Sequence, residues 1–311
     1  MPATEIAVTI GSVSFNTSFA PGASCYILTN TEEILSALRT RRTDTPKQGE
    51  HGSEDSLSFF EPRAMLFRGE IHATSQSQRV TMQQELDEAV SLSRRQSFAD
   101  DDGYKLVEIT DEDGIAKQIY AKIDQMPRYS LVDSGMPESR IFEFVMFAAD
   151  PAIYAQSLTS ITAPESYNST TFTFQDGDLP TFDDDDLPTI QDVQGQVLQV
   201  TNSGNYGSPP LIVIDGPTTN PVVENETTGK QLAFTRNGGV SLTSGETLTI
   251  NCEAQTAVKE SAGVETSVKS KLSLASEWFD IIPGVNDITL FDSTPDDISS
   301  QMEISFRSAW I

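Results

Sequence analysis

Apolar and polar residues alternate at Ile6, Val8 and Ile10, and again at Met65, Phe67 and Ile71, which is the period-two signature of half-buried strands. Asn30, Thr31, Glu32 and Glu33 have capping-box spacing ahead of Ile34, Leu35 and Leu38. That argues for a short helix, with a strand as the alternative because the apolar set is brief. Residues 77–95 read differently: Met82, Leu86, Ala89, Val90 and Ser93 recur at helical spacing, with Gln83, Gln84, Asp87, Glu88 and Arg94 elsewhere, and predict one packed helix. Residues 104–110 and 115–123 flank the turn Asp111, Glu112, Asp113, Gly114 as a hairpin. The run 141–147 is apolar at both parities, Phe142, Phe144 and Met146 against Ile141, Val145 and Phe147. This predicts a strand covered on both faces, with Pro151 ending its ladder.

Past Tyr154 the punctuation changes. Turn signals at Gly177, Gly204, Gly216, Gly238, Gly245 and Gly284 separate short alternating runs at 197–200, 211–214, 248–252, 288–291 and 302–306. Strands of that length with regular breaks predict a β-sandwich of jelly-roll type. The chain is therefore expected to be mainly β with one major helix: an N-terminal α+β module over residues 1–155 and a C-terminal β-sandwich over residues 156–311. Two linker-like segments stand out. Residues 39–62 are polar, with Arg39, Arg41, Arg42 and Lys47 ahead of His51, Glu54 and Asp55; a loop of this length is functional or mobile. Residues 175–188 hold Asp176, Asp178 and Asp183 to Asp186 and are expected as an acidic loop.

Charge narrows the function classes. Forty-six acidic against twenty basic residues give a net charge of −26. Divided at residue 155, the first part has 14 basic and 24 acidic residues (−10) and the second 6 and 22 (−16). Stable nucleic-acid binding needs clustered Lys and Arg and is disfavoured. The acidity suits a surface that lets DNA slide past without sticking; adaptation to a salty medium accounts for it equally. The two cysteines, Cys25 and Cys252, fall in different modules, which argues against a structural disulfide, and Cys252 shares a strand face with Leu248 and Ile250 as a buried thiol. The chain opens without a basic leader or an apolar run of signal-peptide length, and no stretch approaches the ~18 apolar residues that span a bilayer. Membrane insertion is not expected.

Catalytic chemistry has little to work with. His51 and His72 are the two histidines, one in a Gly-flanked loop and one on the polar parity of a strand, and no phosphate loop, dinucleotide fingerprint or metalloprotease pattern occurs. In so acidic a chain any carboxylate pair is uninformative, and the Asp183 to Asp186 run lacks the spacing and glycine that wrap a calcium ion. No enzyme activity, cofactor or metal is expected. Arginine's planar fork, by contrast, suits carboxylate pairing across a protein interface, which singles out Arg39, Arg41 and Arg42.

In chain order, several pieces resemble the distal tail proteins of long-tailed (siphovirus-type) bacterial viruses. They are the polar loop ending His51, Gly52; Pro62, Arg63 and the strand from Met65 to Ile71; the helix; the acidic-turn hairpin; the run from Phe144 to Tyr154; residues 202–204 and 209–216; Asn225 with Gly229; residues 245–250; and Trp278 to Asn286. The resemblance implies a belt-and-ring module followed by a galectin-like sandwich. It implies a homohexameric ring at the distal end of a bacterial or archaeal virus tail, located at the virion tail tip and in the host cytoplasm during assembly. The expected partners are sister copies, the tail-tube protein, the tail-tip hub protein, the tape-measure protein and a receptor-binding protein. In the belt Arg63 joins Arg39, Arg41 and Arg42 as a candidate inter-subunit contact, and the first module is expected to have sheet edges that sister copies complete. An alternative treats the sandwich as a carbohydrate-binding adhesion module, for which Tyr206 is the candidate contact.

Overall fold

The computed structural model describes residues 6–17, 23–31, 34, 38–42, 45–46, 53–54, 58–92, 103–111, 114–132, 137–162, 195–291 and 300–311. The chain divides into two units, Met1–Ser157 with Ala309–Ile311, and Leu158–Ser308.

The first unit contains β1 (Ala7–Ile10), β2 (Val13–Phe15), β3 (Cys25–Asn30), β4 (Thr40–Arg41), β5 (Thr45–Pro46), β6 (Ser53–Glu54), β7 (Phe59–Phe60), β8 (Arg63–His72), α1 (Gln76–Val90), β9 (Lys105–Thr110), β10 (Ala116–Leu131), β11 (Ser139–Ala148) and β12 (Ile153–Ala155). Its main sheet runs β11-β8-β3-β2-β1-β9-β10, and β10 also pairs with β11, so the sheet closes into a barrel. Register shifts in β10 between Ile123 and Arg128 are the irregularities that let one long strand leave β9 and continue along β11. Inside, Phe67 stacks on Phe144 at 4.7 Å, and Phe15 lies 5.7 Å from Phe142 and 5.6 Å from Tyr26. Aromatic pairs at these separations add to the area they bury.

The helix forms close to where its period places it. Ser75 caps it by accepting from the Gln78 amide at 3.2 Å, and Met82, Leu86, Ala89 and Val90 are buried as the spacing requires. It ends at Val90, earlier than the expected 95, and Ser93 and Arg94 lie outside the described residues. The capping-box segment at 30–38 lies largely outside them as well.

The second unit contains β13 (Thr159–Thr162), β14 (Gly195–Asn202), β15 (Leu211–Asp215), β16 (Thr218–Thr219), β17 (Val222–Asn225), β18 (Lys230–Ala233), β19 (Ser241–Leu242), β20 (Thr247–Asn251), β21 (Thr256–Ser261), β22 (Val264–Ser267), a 3-10 turn Lys269–Lys271, β23 (Gly284–Phe291) and β24 (Gln301–Phe306). A six-stranded sheet, β13-β24-β15-β20-β21-β22, faces a four-stranded one, β14-β23-β17-β18. Ile212, Ile214, Leu248, Ile250, Met302 and Ile304 from the first share one core with Leu198, Val200, Val223, Ile288 and Leu290 from the second. This is the sandwich that the alternation predicts. Phe279 and Ile281 complete the core, with Trp278 packed half-buried against it.

The last strand, β25 (Ala309–Trp310), leaves the sandwich: it pairs with β12, Ile153 against Trp310, and so belongs to the first unit.

Candidate assembly surfaces

Two features of the first unit depart from the sequence reading, and both bear on assembly. The barrel edges expected to await sister copies are joined within the chain: β10 pairs with β11, and β12 is taken by β10 on one side and β25 on the other, so that β25 is the outer strand of this sheet. The strand expected to be covered on both faces is covered on one. Phe142, Phe144 and Met146 are fully buried, whereas Ile141, Glu143 and Val145 are half-buried and Phe147 is 42% exposed. Closing the barrel turns one parity inward and leaves the other, apolar as it is, on the outer surface.

The polar segment 39–62 also has more structure than expected. Thr40 pairs with Phe60 and Arg41 with Phe59, while farther out Thr45 pairs with Glu54 and Pro46 with Ser53. These are rungs of a hairpin arm, offset by one residue between the two ladders, and the Glu61 amide donates to the Arg39 carbonyl at 2.8 Å at its base. Polar composition hid it, because two-residue strands leave no alternation to read. Phe59 is 55% and Phe60 41% exposed, so the arm presents aromatic surface at adjacent positions.

Arg39, Arg41 and Arg42 are exposed at the base of this arm. Arg63 is set apart from them. It is 3% exposed, its Nε donates to the Pro151 carbonyl at 3.0 Å, and burial lowers its pKa from the usual guanidinium value. A side chain so enclosed offers no surface to a neighbouring copy, so Arg63 ties β8 to the corner after β11 instead. His72 sits on the strand's polar parity with Glu70 at 3.0 Å and the Ser139 hydroxyl at 3.3 Å; His51 lies outside the described residues.

The helix is fastened by a polar device that the sequence reading missed. Tyr26 donates to the Met82 carbonyl at 2.9 Å and lies 3.3 Å from Glu85, and Tyr129 shares its one hydroxyl proton between the Gln83 carbonyl at 3.1 Å and Asp87 at 2.8 Å. Burial first, then the neighbouring carboxylates, raises both phenol pKa values well above the ordinary range. A tyrosine on the inward or half-inward parity of a strand near an amphipathic helix is the available signal.

In the second unit Tyr206 is 37% exposed, and among the described residues it is the one aromatic of that unit that counts as exposed, Trp278 and Phe291 being half-buried. Its carbonyl accepts from Asn202 Nδ2 at 2.8 Å; the same amide donates to the Ile281 carbonyl at 2.9 Å. Cys25 and Cys252 are free thiols, and burial pushes Cys252 up to about 12, which makes it unreactive. Among the described residues no three His, Cys, Asp or Glu side chains gather as a metal site, and no helix is long and apolar enough to cross a membrane. The acidic run at 175–188 lies outside those residues.

Residues 203–310 match the family model of the siphovirus-type tail component, C-terminal domain. The whole chain is similar in fold to the crystal structure of SPP1 Dit, described as a paradigm of the hub adsorption apparatus in phages infecting Gram-positive bacteria. The two share 10% identity over 96% of this chain and 98% of that one, with a TM-score of 0.60. A chain of the phage P2 baseplate in its activated conformation with calcium is a looser likeness, with 8% identity over 97% of each chain and a TM-score of 0.42. No curated protein matches by sequence.

Proposed function

From a chain that ends in the C-terminal domain of a siphovirus-type tail component and folds like a distal tail protein, we propose a structural subunit of the distal tail. Six copies close into a ring that joins the tail tube to the tail-tip hub and surrounds the path of the DNA. The match over residues 203–310 carries the tail-component part of this reading.

The first unit supports the ring. Because its barrel closes on itself, contact between copies falls to the arm and to the outer face of β11. Exposed Phe59, Phe60 and Phe147 supply the apolar part, and Arg39, Arg41 and Arg42 the charged part. An arm that reaches from one copy to a different patch on the next is a heterologous contact, and such contacts close when the rotation divides the circle. The net −10 of residues 1–155 suits a lumen that repels phosphate. The upper face of the ring meets the tail-tube and tape-measure proteins and the lower face meets the hub. The sandwich serves as a spacer or a socket for a receptor-binding protein.

Native mass measurement at physiological salt tests this: a six-chain species is expected. A single-chain mass across the micromolar range overturns the ring.

A further inference from the structure

Residues 156–311 hold 6 basic residues among 22 acidic ones, yet three of the six, Arg236, Lys269 and Lys271, meet at one corner of the sandwich. The Arg236 amide donates to the Lys271 carbonyl at 3.0 Å, and the Asn237 side-chain amide donates to the Ser270 carbonyl at 2.9 Å. The Lys271 ammonium donates to the Asn237 carbonyl, and the Lys269 ammonium rests 5.6 Å from the centre of the Trp278 ring. The two loops are thus stitched together, and two of the three cations are held in place. By contrast, Lys259 of the same unit is spent on Glu246 at 2.8 Å. Among the described residues none of the corner cations makes an ion pair, although carboxylates outnumber cations nearly four to one in residues 156–311.

Beside the cations stands apolar surface. The amide of Ser273 donates to the Ala233 carbonyl at 2.8 Å and that of Ser276 to the Ser273 carbonyl at 3.1 Å, a tight turn that projects Leu274, 85% exposed. Trp278 follows, half-buried.

We propose that this corner is the docking surface for an acidic polypeptide segment of another protein, one that sets carboxylates on Arg236 and Lys269 and an apolar side chain on Leu274. The proposal rests on the tail-component reading and names a surface for its socket. A guanidinium fork and a positioned ammonium suit carboxylates, and preorganisation lowers the ordering cost of binding. The exposed leucine favours a polypeptide over a bare polyanion, which has nothing to place on it. The chain's overall −26 does not forbid this, because charges farther off than the Debye length, about 8 Å at physiological ionic strength, are largely screened.

The test is fluorescence anisotropy on the full chain with a labelled glutamate-rich peptide holding one central leucine. Binding that weakens with salt is expected. Arg236→Glu with Lys269→Glu, which leaves the Lys271 brace intact, should weaken it about tenfold or more; exchanging the peptide's leucine for serine should weaken it too. Charge reversal of Arg39, Arg41 and Arg42 should leave it unchanged. No binding by the native chain, equal binding by the double variant, or displacement by inorganic polyphosphate as effective as by unlabelled peptide of equal charge overturns the proposal. Native mass measured on the same samples separates the two readings: an intact ring that fails to bind sinks the corner alone, and a bound single chain sinks the ring alone.

Discussion

Tyr26 and Tyr129 reach the same helix from two different strands and take its consecutive carbonyls, Met82 by Tyr26 and Gln83 by Tyr129. Each hydroxyl is then flanked by a helix carboxylate one turn along, Glu85 or Asp87. The pair fixes how α1 lies on the barrel where apolar packing alone would permit sliding. Replacing either tyrosine by phenylalanine should cost about 1 kcal/mol in urea unfolding at neutral pH.

The same two phenols set an alkaline limit. Both hold their protons more tightly folded than unfolded, where the ordinary value is 10.0. Their contribution is therefore complete below about pH 10 and declines as pH rises beyond it, since the unfolded chain releases protons the folded one retains. The double Tyr26→Phe, Tyr129→Phe variant should lose stability less steeply above pH 10 than the native chain. Parallel decline of both would show that the phenols do not control the alkaline limb.

Acid should act through Glu246. The Lys259 ammonium, followed by the Thr243 amide at 2.7 Å, depresses its carboxyl from 4.5 to about 2. A depressed acid stabilises fully above its unfolded value, and that contribution fades as pH falls from about 4.5 towards 2. Glu246→Gln should lower the urea midpoint at pH 7 and flatten its fall across that window, and an unaltered acid limb would refute the assignment.

Gly69 is required by contact, not by backbone angle. It faces Leu28 across one ladder and Phe142 across the other, and a Cβ there would stand 2.0 Å from the Ile27 carbonyl oxygen and 2.7 Å from Phe142 Cζ. The neighbour in the way is main chain, which cannot rotate aside. Gly69→Ala should destabilise by about 3 kcal/mol, read as a lower melting temperature of the first unit.

The turn signal at Gly284 was legible in the sequence, and the structure places a buried, locally bonded Asn286 just after it, with Oδ1 accepting from the Ile282 amide at 3.0 Å and Nδ2 donating to the Ile282 and Gly284 carbonyls at 2.8 and 3.1 Å. The helix, the acidic-turn hairpin and the sandwich were legible for a similar reason: each is set by a local period or a local turn. What stayed hidden depends on contacts between distant segments. Barrel closure arises where β10 bends from β9 to β11, and nothing in residues 116–131 alone announces the second partner. Phe147 and Val145 read as buried because apolar strands usually are, whereas closure put them outside. Arg63 read as an interface residue from its place next to the belt strand, yet its parity on β8 is that of Met65 and Phe67, which turns it inward. Of the candidate contacts, the exposed arginines were visible as a charge run, but the aromatic pair at Phe59 and Phe60 gained meaning only when the arm's ladder was seen.

Assembly of the proposed ring should depend on that arm. An exposed aromatic pair contributes more to an interface than solvent-exposed surface charges do, since such charges are screened and each ion pair is worth roughly 0–1 kcal/mol. Phe59→Ser with Phe60→Ser should therefore dissociate the ring at protein concentrations where reversing Arg39, Arg41 and Arg42 only makes it salt-sensitive. Both variants should keep the native melting temperature of the separated chain, because Phe59 and Phe60 are largely outside the core and the three arginines are exposed. Sedimentation across a salt series distinguishes the outcomes. A ring unaffected by loss of both aromatics would move the contact from the arm to the outer face of β11, where Phe147→Ser is the corresponding variant.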